Sequence, residues 1–178
     1  TDRYVGAVMA DNGCMYFIPY FATTTIMKYD IENDVLSTFG SITVGWRGAV
    51  FAPNGKIYCA PAQSGDVMII DTRNSDAISY TAIAGLTGGG AVNFLGGVLA
   101  PNGKIYFAPY QNDSSILVYD TANDTYVLVS TGFVQTSSAG WASAALSPDG
   151  AHVYFAPVNK TAILKIEVAT NTVSSFGS

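Results

Sequence analysis

His152 is the one histidine in this 178-residue chain, and acid–base work near neutral pH most often needs a positioned histidine or a carboxylate of shifted pKa. No neighbour in the sequence suggests a partner for it, so it reads as an exposed residue at a strand end. Cys14 and Cys59 form neither a CxxC pair nor a Cys/His cluster, which leaves no zinc site to assemble. No Gly-x-Ser-x-Gly elbow and no P-loop occur, and Gly88-Gly-Gly90 lacks the strand-to-helix context of a phosphate cradle, so it reads as a flexible loop. The acids Asp30, Asp71, Asp120 and Glu167 recur at similar intervals and could suggest a ring of metal ligands. Each precedes a short turn, and bonding to that turn is the preferred reading. The expectation is no catalytic residue, no metal and no cofactor.

Four aromatics, Tyr4, Trp46, Phe94 and Trp141, form a second recurring set. Tryptophan or tyrosine on an exposed face could stack on a sugar ring, but recurrence in every repeat favours packing between repeated units. Three N-x-S/T sequons, at Asn112, Asn123 and Asn159, are candidate glycosylation sites if the chain is secreted.

These residues belong to an internal repeat. Tyr4 to Gly13, Trp46 to Gly55, Phe94 to Gly103 and Trp141 to Gly150 align without gaps, and the turn glycines lie 42, 48 and 47 residues apart. Each glycine is followed by an apolar run ending in proline (Met15–Pro19, Ile57–Pro61, Ile105–Pro109, Val153–Pro157), then by a run ending in an acid, then by an Asn-containing turn and a fourth run. The runs are short, rich in Val, Ile, Tyr, Phe and Thr, and bounded by Pro-Asn-Gly-type turns that supply the positive φ of tight hairpins. Runs such as Val67-Met-Ile-Ile and Ile116-Leu-Val-Tyr are apolar on both faces, so their sheets should be covered on both sides. Four-stranded units of this period, stacked face to face, describe an all-β, four-bladed β-propeller. It forms a single domain over 1–178 with blades at about 1–43, 44–90, 91–138 and 139–178. A β-sandwich, the main competitor, leaves the period unexplained. A closed four-bladed ring is favoured over an open arc that pairs with another copy or a slice of a longer repeat chain.

Composition agrees with that reading. Apolar residues make up 49% and charged residues 12%, against roughly 25% charged in an average soluble domain. No apolar run approaches the ~20 residues of a membrane helix. The net charge of −5 offers no electrostatic footprint for nucleic acid or an anionic membrane. The chain begins at Thr1 without Met or a signal peptide, as expected of a processed product or an excised part of something longer.

Ser147-Pro-Asp-Gly-Ala-His-Val-Tyr-Phe-Ala-Pro, followed by Ile163-Leu-Lys-Ile-Glu-Val-Ala-Thr-Asn-Thr-Val, resembles the YVTN-type propeller repeat of surface-layer and other cell-surface proteins. The Ala-Pro-Asn-Gly-Lys-Ile-Tyr stretches at 52–58 and 100–106 are similar to tandem repeats of extracellular propellers. Some propellers related to this repeat resemble antibiotic lyases, whose chemistry depends on histidine and acidic residues beside a metal, and one histidine does not supply that set. The resemblance, the low charge and the sequons together imply a secreted or cell-surface location. They imply a non-enzymatic, glycosylated structural propeller, a building block of a coat or fibre, whose partners are other copies of itself or flanking repeats of a longer chain. A carbohydrate-binding module using the aromatic column, with glycans as ligands, is the alternative.

Overall fold

A computed structural model of the chain describes residues 3–20, 23–43, 45–86, 92–134 and 139–177. Gly88-Gly-Gly90 lies outside the described residues. The chain divides into two compact units, Thr1–Gly90 and Ala91–Ser178. The fold is all-β and belongs to the four-bladed propeller class: four antiparallel four-stranded sheets, each a meander whose neighbours in sequence are neighbours in space. No helix occurs among the described residues.

The first unit holds β1 (Tyr4–Met9), β2 (Cys14–Pro19), β3 (Ile26–Asp30) and β4 (Val35–Phe39) in one sheet. Its second sheet is β5 (Trp46–Phe51), β6 (Lys56–Pro61), β7 (Asp66–Asp71) and β8 (Ala77–Ala82). The second unit holds β9 (Phe94–Leu99), β10 (Lys104–Pro109), β11 (Ser115–Asp120) and β12 (Thr125–Ser130). It continues with β13 (Trp141–Leu146), β14 (His152–Pro157), β15 (Ile163–Glu167) and β16 (Val173–Phe176). The second strand of each sheet starts one residue earlier than its apolar run, because Cys14, Lys56, Lys104 and His152 continue the ladder.

The β1–β2, β5–β6 and β9–β10 hairpin turns are built the same way. Asn12, Asn54 and Asn102 accept the backbone N–H two residues on, at 3.1 Å, through Oδ1. Their Nδ2 groups donate to Tyr16, Tyr58 and Tyr106 Oη at 2.9–3.0 Å. In the fourth sheet Asp149 accepts the Ala151 N–H at 3.0 Å, but a carboxylate has no amide to donate to a tyrosine.

The first strand of each sheet carries a bulge near its start, at Tyr4/Ala7, Trp46/Ala49 and Trp141/Ser143 in β1, β5 and β13. Gly6 (φ 94°) and Gly48 (φ 76°) occupy this bend. A Cβ on Gly6 would meet Gly48 Cα at 2.9 Å, so glycine is required there both by backbone conformation and by the close approach of β1 and β5.

In the first unit, Tyr16, Ile18, Ile26, Trp46, Ile57, Met68 and Ile70 form a buried core. Cys14 and Cys59 lie in it as free thiols, and burial pushes the Cys59 thiol up. In the second unit, Tyr106, Ile116, Val118, Trp141, Val153, Phe155, Leu164 and Ile166 play that part. The middle strands β6, β7, β10 and β11 are buried on both faces, whereas β2 and β14 alternate between buried and accessible residues.

Candidate functional site

The turn end of the second unit carries an open cleft of about 580 Å³. The Pro101-Asn102 turn and Lys104 line one side, and Asp149, Gly150, Ala151, Glu167, Val168 and Asn171 line the other. These positions are set by tight turns. Asn102 Oδ1 fixes the β9–β10 hairpin, and its Nδ2 reaches the Val168 carbonyl at 3.2 Å, joining the two sheets' turns. Asn171 stands at φ 59°, in the left-handed region that asparagine tolerates.

Three charged groups meet in this cleft. The Ser147 hydroxyl, at 2.5 Å, and the Ala151 N–H hold the Asp149 carboxyl below the usual carboxylate range, so Asp149 is a fixed negative charge at neutral pH. Glu167 Oε2 accepts the Thr170 hydroxyl at 2.6 Å, while no hydrogen bond reaches its Oε1 among the described residues. Lys104 supplies the positive charge from the opposite wall. The cleft therefore pairs a carboxylate oxygen able to take a proton with an ammonium able to balance developing negative charge.

The other recurring acids serve their own turns: Asp30 accepts from Asn33, Asp71 from the Arg73 N–H, and Asp120 from the Ala122 N–H. Among the described residues, no group of three or more His, Cys, Asp or Glu could hold a metal ion. His152 lies outside the cleft lining, opposite Glu167 in the β14–β15 ladder. Three of the four aromatics of the column lie in the interior. Trp46, Phe94 and Trp141 are buried, Tyr4 is half-buried, and the two indole N–H groups donate to the Asp66 and Ala162 carbonyls at 2.8 and 3.0 Å. Of the sequons, Asn123 and Asn159 are exposed, while Asn112 is half-buried and its Oδ1 accepts the Ser114 hydroxyl.

Sequence reasoning missed Lys104 and the free oxygen of Glu167. Lys104 looked like one more strand-start residue of a repeat, and what sets it apart is its place in the lining of the cleft with Asp149 and Glu167. A second buried feature was also unforeseen. Lys160 Nζ lies 2.7 Å from the fully buried Asp113 carboxylate and close to the Phe133 and Trp141 rings.

No protein-family model matches this sequence, and no curated protein matches it. The fold is matched by solved structures. Virginiamycin B lyase from Staphylococcus aureus superposes with a TM-score of 0.79 at 14% identity, covering 100% of this chain and 57% of the lyase. The chain is a β-propeller repeat protein. A streptogramin B lyase matches at a TM-score of 0.80 and 16% identity over 99% of this chain and 55% of that one. Hydrazine synthase of Kuenenia stuttgartiensis matches at 0.76 and 17% over 100% and 50%. The propeller chain thus spans just over half the length of the lyases it resembles. At these identities the likeness establishes the fold alone.

These neighbours overturn the expectation of a non-enzymatic structural propeller, and with it the expectation that the chain is no enzyme: enzymes are built on this same arrangement of sheets. The reason is physical. Missing elbows, P-loops and histidine clusters exclude those particular chemistries, whereas a propeller takes its chemistry from turn residues that no fixed motif marks.

Proposed function

We propose that this propeller is of the enzyme type and acts on a molecule that places a polar, proton-bearing group in the cleft lined by Lys104, Asp149 and Glu167. The observation that carries the reading is the unpaired Oε1 of Glu167 in a cleft whose opposite wall holds Lys104. Glu167 takes a proton from the bound molecule, and Lys104 stabilises the anion that forms. Asp149, which stays ionised, and the Asn171 amide orient polar groups. In an elimination the C–H electron pair left by that proton becomes a new double bond while the bond to the leaving group on the adjacent carbon breaks and that group departs with its electron pair; the lyase neighbours support that reaction class. The repeat motif around Ser147–Pro157 supports placement among YVTN-type propellers.

One streptogramin-lyase neighbour is a catalytically inactive histidine-to-alanine variant solved with quinupristin, and quinupristin is therefore the first probe. Incubated with the chain and followed by liquid chromatography with tandem mass spectrometry, it should convert to a ring-opened isomer of unchanged mass but new retention and fragmentation, because the carboxylate that an elimination releases stays tethered to the molecule. Glu167→Gln should slow that conversion by about 10²-fold or more with binding retained, and Lys104→Met should weaken binding. Absence of both binding and conversion, or full activity in Glu167→Gln, overturns the assignment.

A further inference from the structure

The β1–β4 sheet of the first unit and the β13–β16 sheet of the second each carry one face of exposed or half-buried apolar side chains, and the two sets are complementary. On the β1–β4 sheet, Ala7, Met9, Met15, Phe17, Met27 and Tyr29 share the accessible face by register and are exposed or half-buried. In the second sheet the equivalent positions, Ala49, Phe51, Ile57, Cys59, Met68 and Ile70, belong to the first unit's core or pack against it. This face is therefore built like one that normally lies against another sheet.

The β13–β16 sheet shows the matching surface. Ala145, Tyr154, Ala156, Ile163, Lys165 and Phe176 share one face, around an apolar hollow of about 250 Å³. Ile163 and Phe176 are 37% and 47% exposed. Within it, Tyr154 and Lys165 are directly opposed, with Ala145 and Ser174 on either side.

The first unit contains the same constellation in its occupied form. Tyr16 and Lys28 are directly opposed between Val8 and Ser37. Asp76 seats itself on both: Tyr16 Oη donates to Asp76 Oδ1 at 2.6 Å, and Lys28 Nζ donates to Oδ2 at 2.6 Å. Asp76 is the residue just before the fourth strand of the next sheet, held at φ 55°. Asp34 occupies the equivalent place before β4, at φ 54°. It is exposed and, among the described residues, accepts the Tyr29 hydroxyl alone, through Oδ1. Lys165 makes no ion pair among the described residues.

We propose that a second copy of this chain covers the β13–β16 face with its own β1–β4 face, and that its Asp34 docks between Tyr154 and Lys165 as Asp76 docks between Tyr16 and Lys28. One observation selects a second copy: both complementary faces are present on one chain, and each keeps its apolar side chains accessible there; two copies would supply eight four-stranded sheets, a count propellers also reach. The apolar side chains supply the driving force and the carboxylate sets the register.

Sedimentation velocity on the 178-residue chain tests this. The expected mass is twice 18.7 kDa. Lys165→Glu and Asp34→Lys, both at accessible positions, should each weaken association by about tenfold or more, and the charge-exchanged double variant Asp34→Lys/Lys165→Glu should restore it. Ala156→Arg, which blocks the apolar hollow without touching the ion pair, should also release single chains. A wild-type mass of 18.7 kDa at every concentration overturns the proposal, as does a two-copy species indifferent to all three single substitutions, or a double variant that fails to recover.

Discussion

Lys160 and Asp113 are 47 positions apart, and each is the middle residue of a sequon, which is where a reader of the sequence looks at the asparagine instead. Folding puts the Asp113 carboxylate wholly out of water with the ammonium as its counter-charge. Removing one member of such a pair leaves a buried charge uncompensated. Lys160→Met should therefore cost about 3–5 kcal/mol in urea denaturation, and Asp113→Leu added to it should recover most of the loss. An unchanged midpoint in the single variant would show that the pair contributes nothing. Tyr16 and Lys28 make a second residue-scale case. Burial and the bond to Asp76 raise the Tyr16 hydroxyl, and although burial opposes the charge on Lys28, its bonds to Asp76 and Tyr16 raise it above the ordinary lysine value. Both groups hold their protons more tightly folded than unfolded. Their contribution is complete below about pH 10 and is lost as pH rises through the folded values. Denaturation midpoints should fall in alkali, and Tyr16→Phe/Lys28→Met should flatten that fall.

The strands and their turns were legible because both depend on local chemistry. The third and fourth runs Ile26–Asp30, Val35–Phe39, Ile163–Glu167 and Val173–Phe176 match β3, β4, β15 and β16 residue for residue. Asn-Gly hairpins define where runs turn, and β-branched or aromatic residues between them favour extended backbone. The first-strand bulge was not legible, since nothing in the residues beside Gly6 and Gly48 marks a bend. Their role follows from the approach of β1 to β5. Gly6→Ala forces an L-residue to positive φ and a Cβ to 2.9 Å from Gly48 Cα. It should lower stability by about 1–3 kcal/mol in thermal or urea unfolding, whereas Gly13→Ala, also at positive φ but with open space around it, should cost only the backbone part. Equal costs would show that the close approach is immaterial.

At the scale of the whole chain, the repeat explains the apolar excess that composition shows at once: two of the four sheets have middle strands buried on both faces. Composition and motif absence were then read as an argument against catalysis. The solved lyases show the weakness of that step, because low charge follows from sheet burial and carries no information on activity. The candidate cleft was only half visible. Asp149 and Glu167 stood out as turn and strand-end residues of the repeat, but their convergence with Lys104 requires the turns of two sheets to meet, a tertiary relation between residues 45 to 63 positions apart.

By itself the sequence determined the period, the strands, the hairpin turns and hence the propeller class, since each depends on residues close together along the chain. Only the tertiary structure decided which side of each sheet is buried, which turn residues share a cleft, and where an unpaired Tyr154–Lys165 couple stands on an open face. Those outcomes depend on what lies across a sheet or in the next one. A repeat cannot announce them, because it writes nearly the same residues in every blade whatever surrounds it.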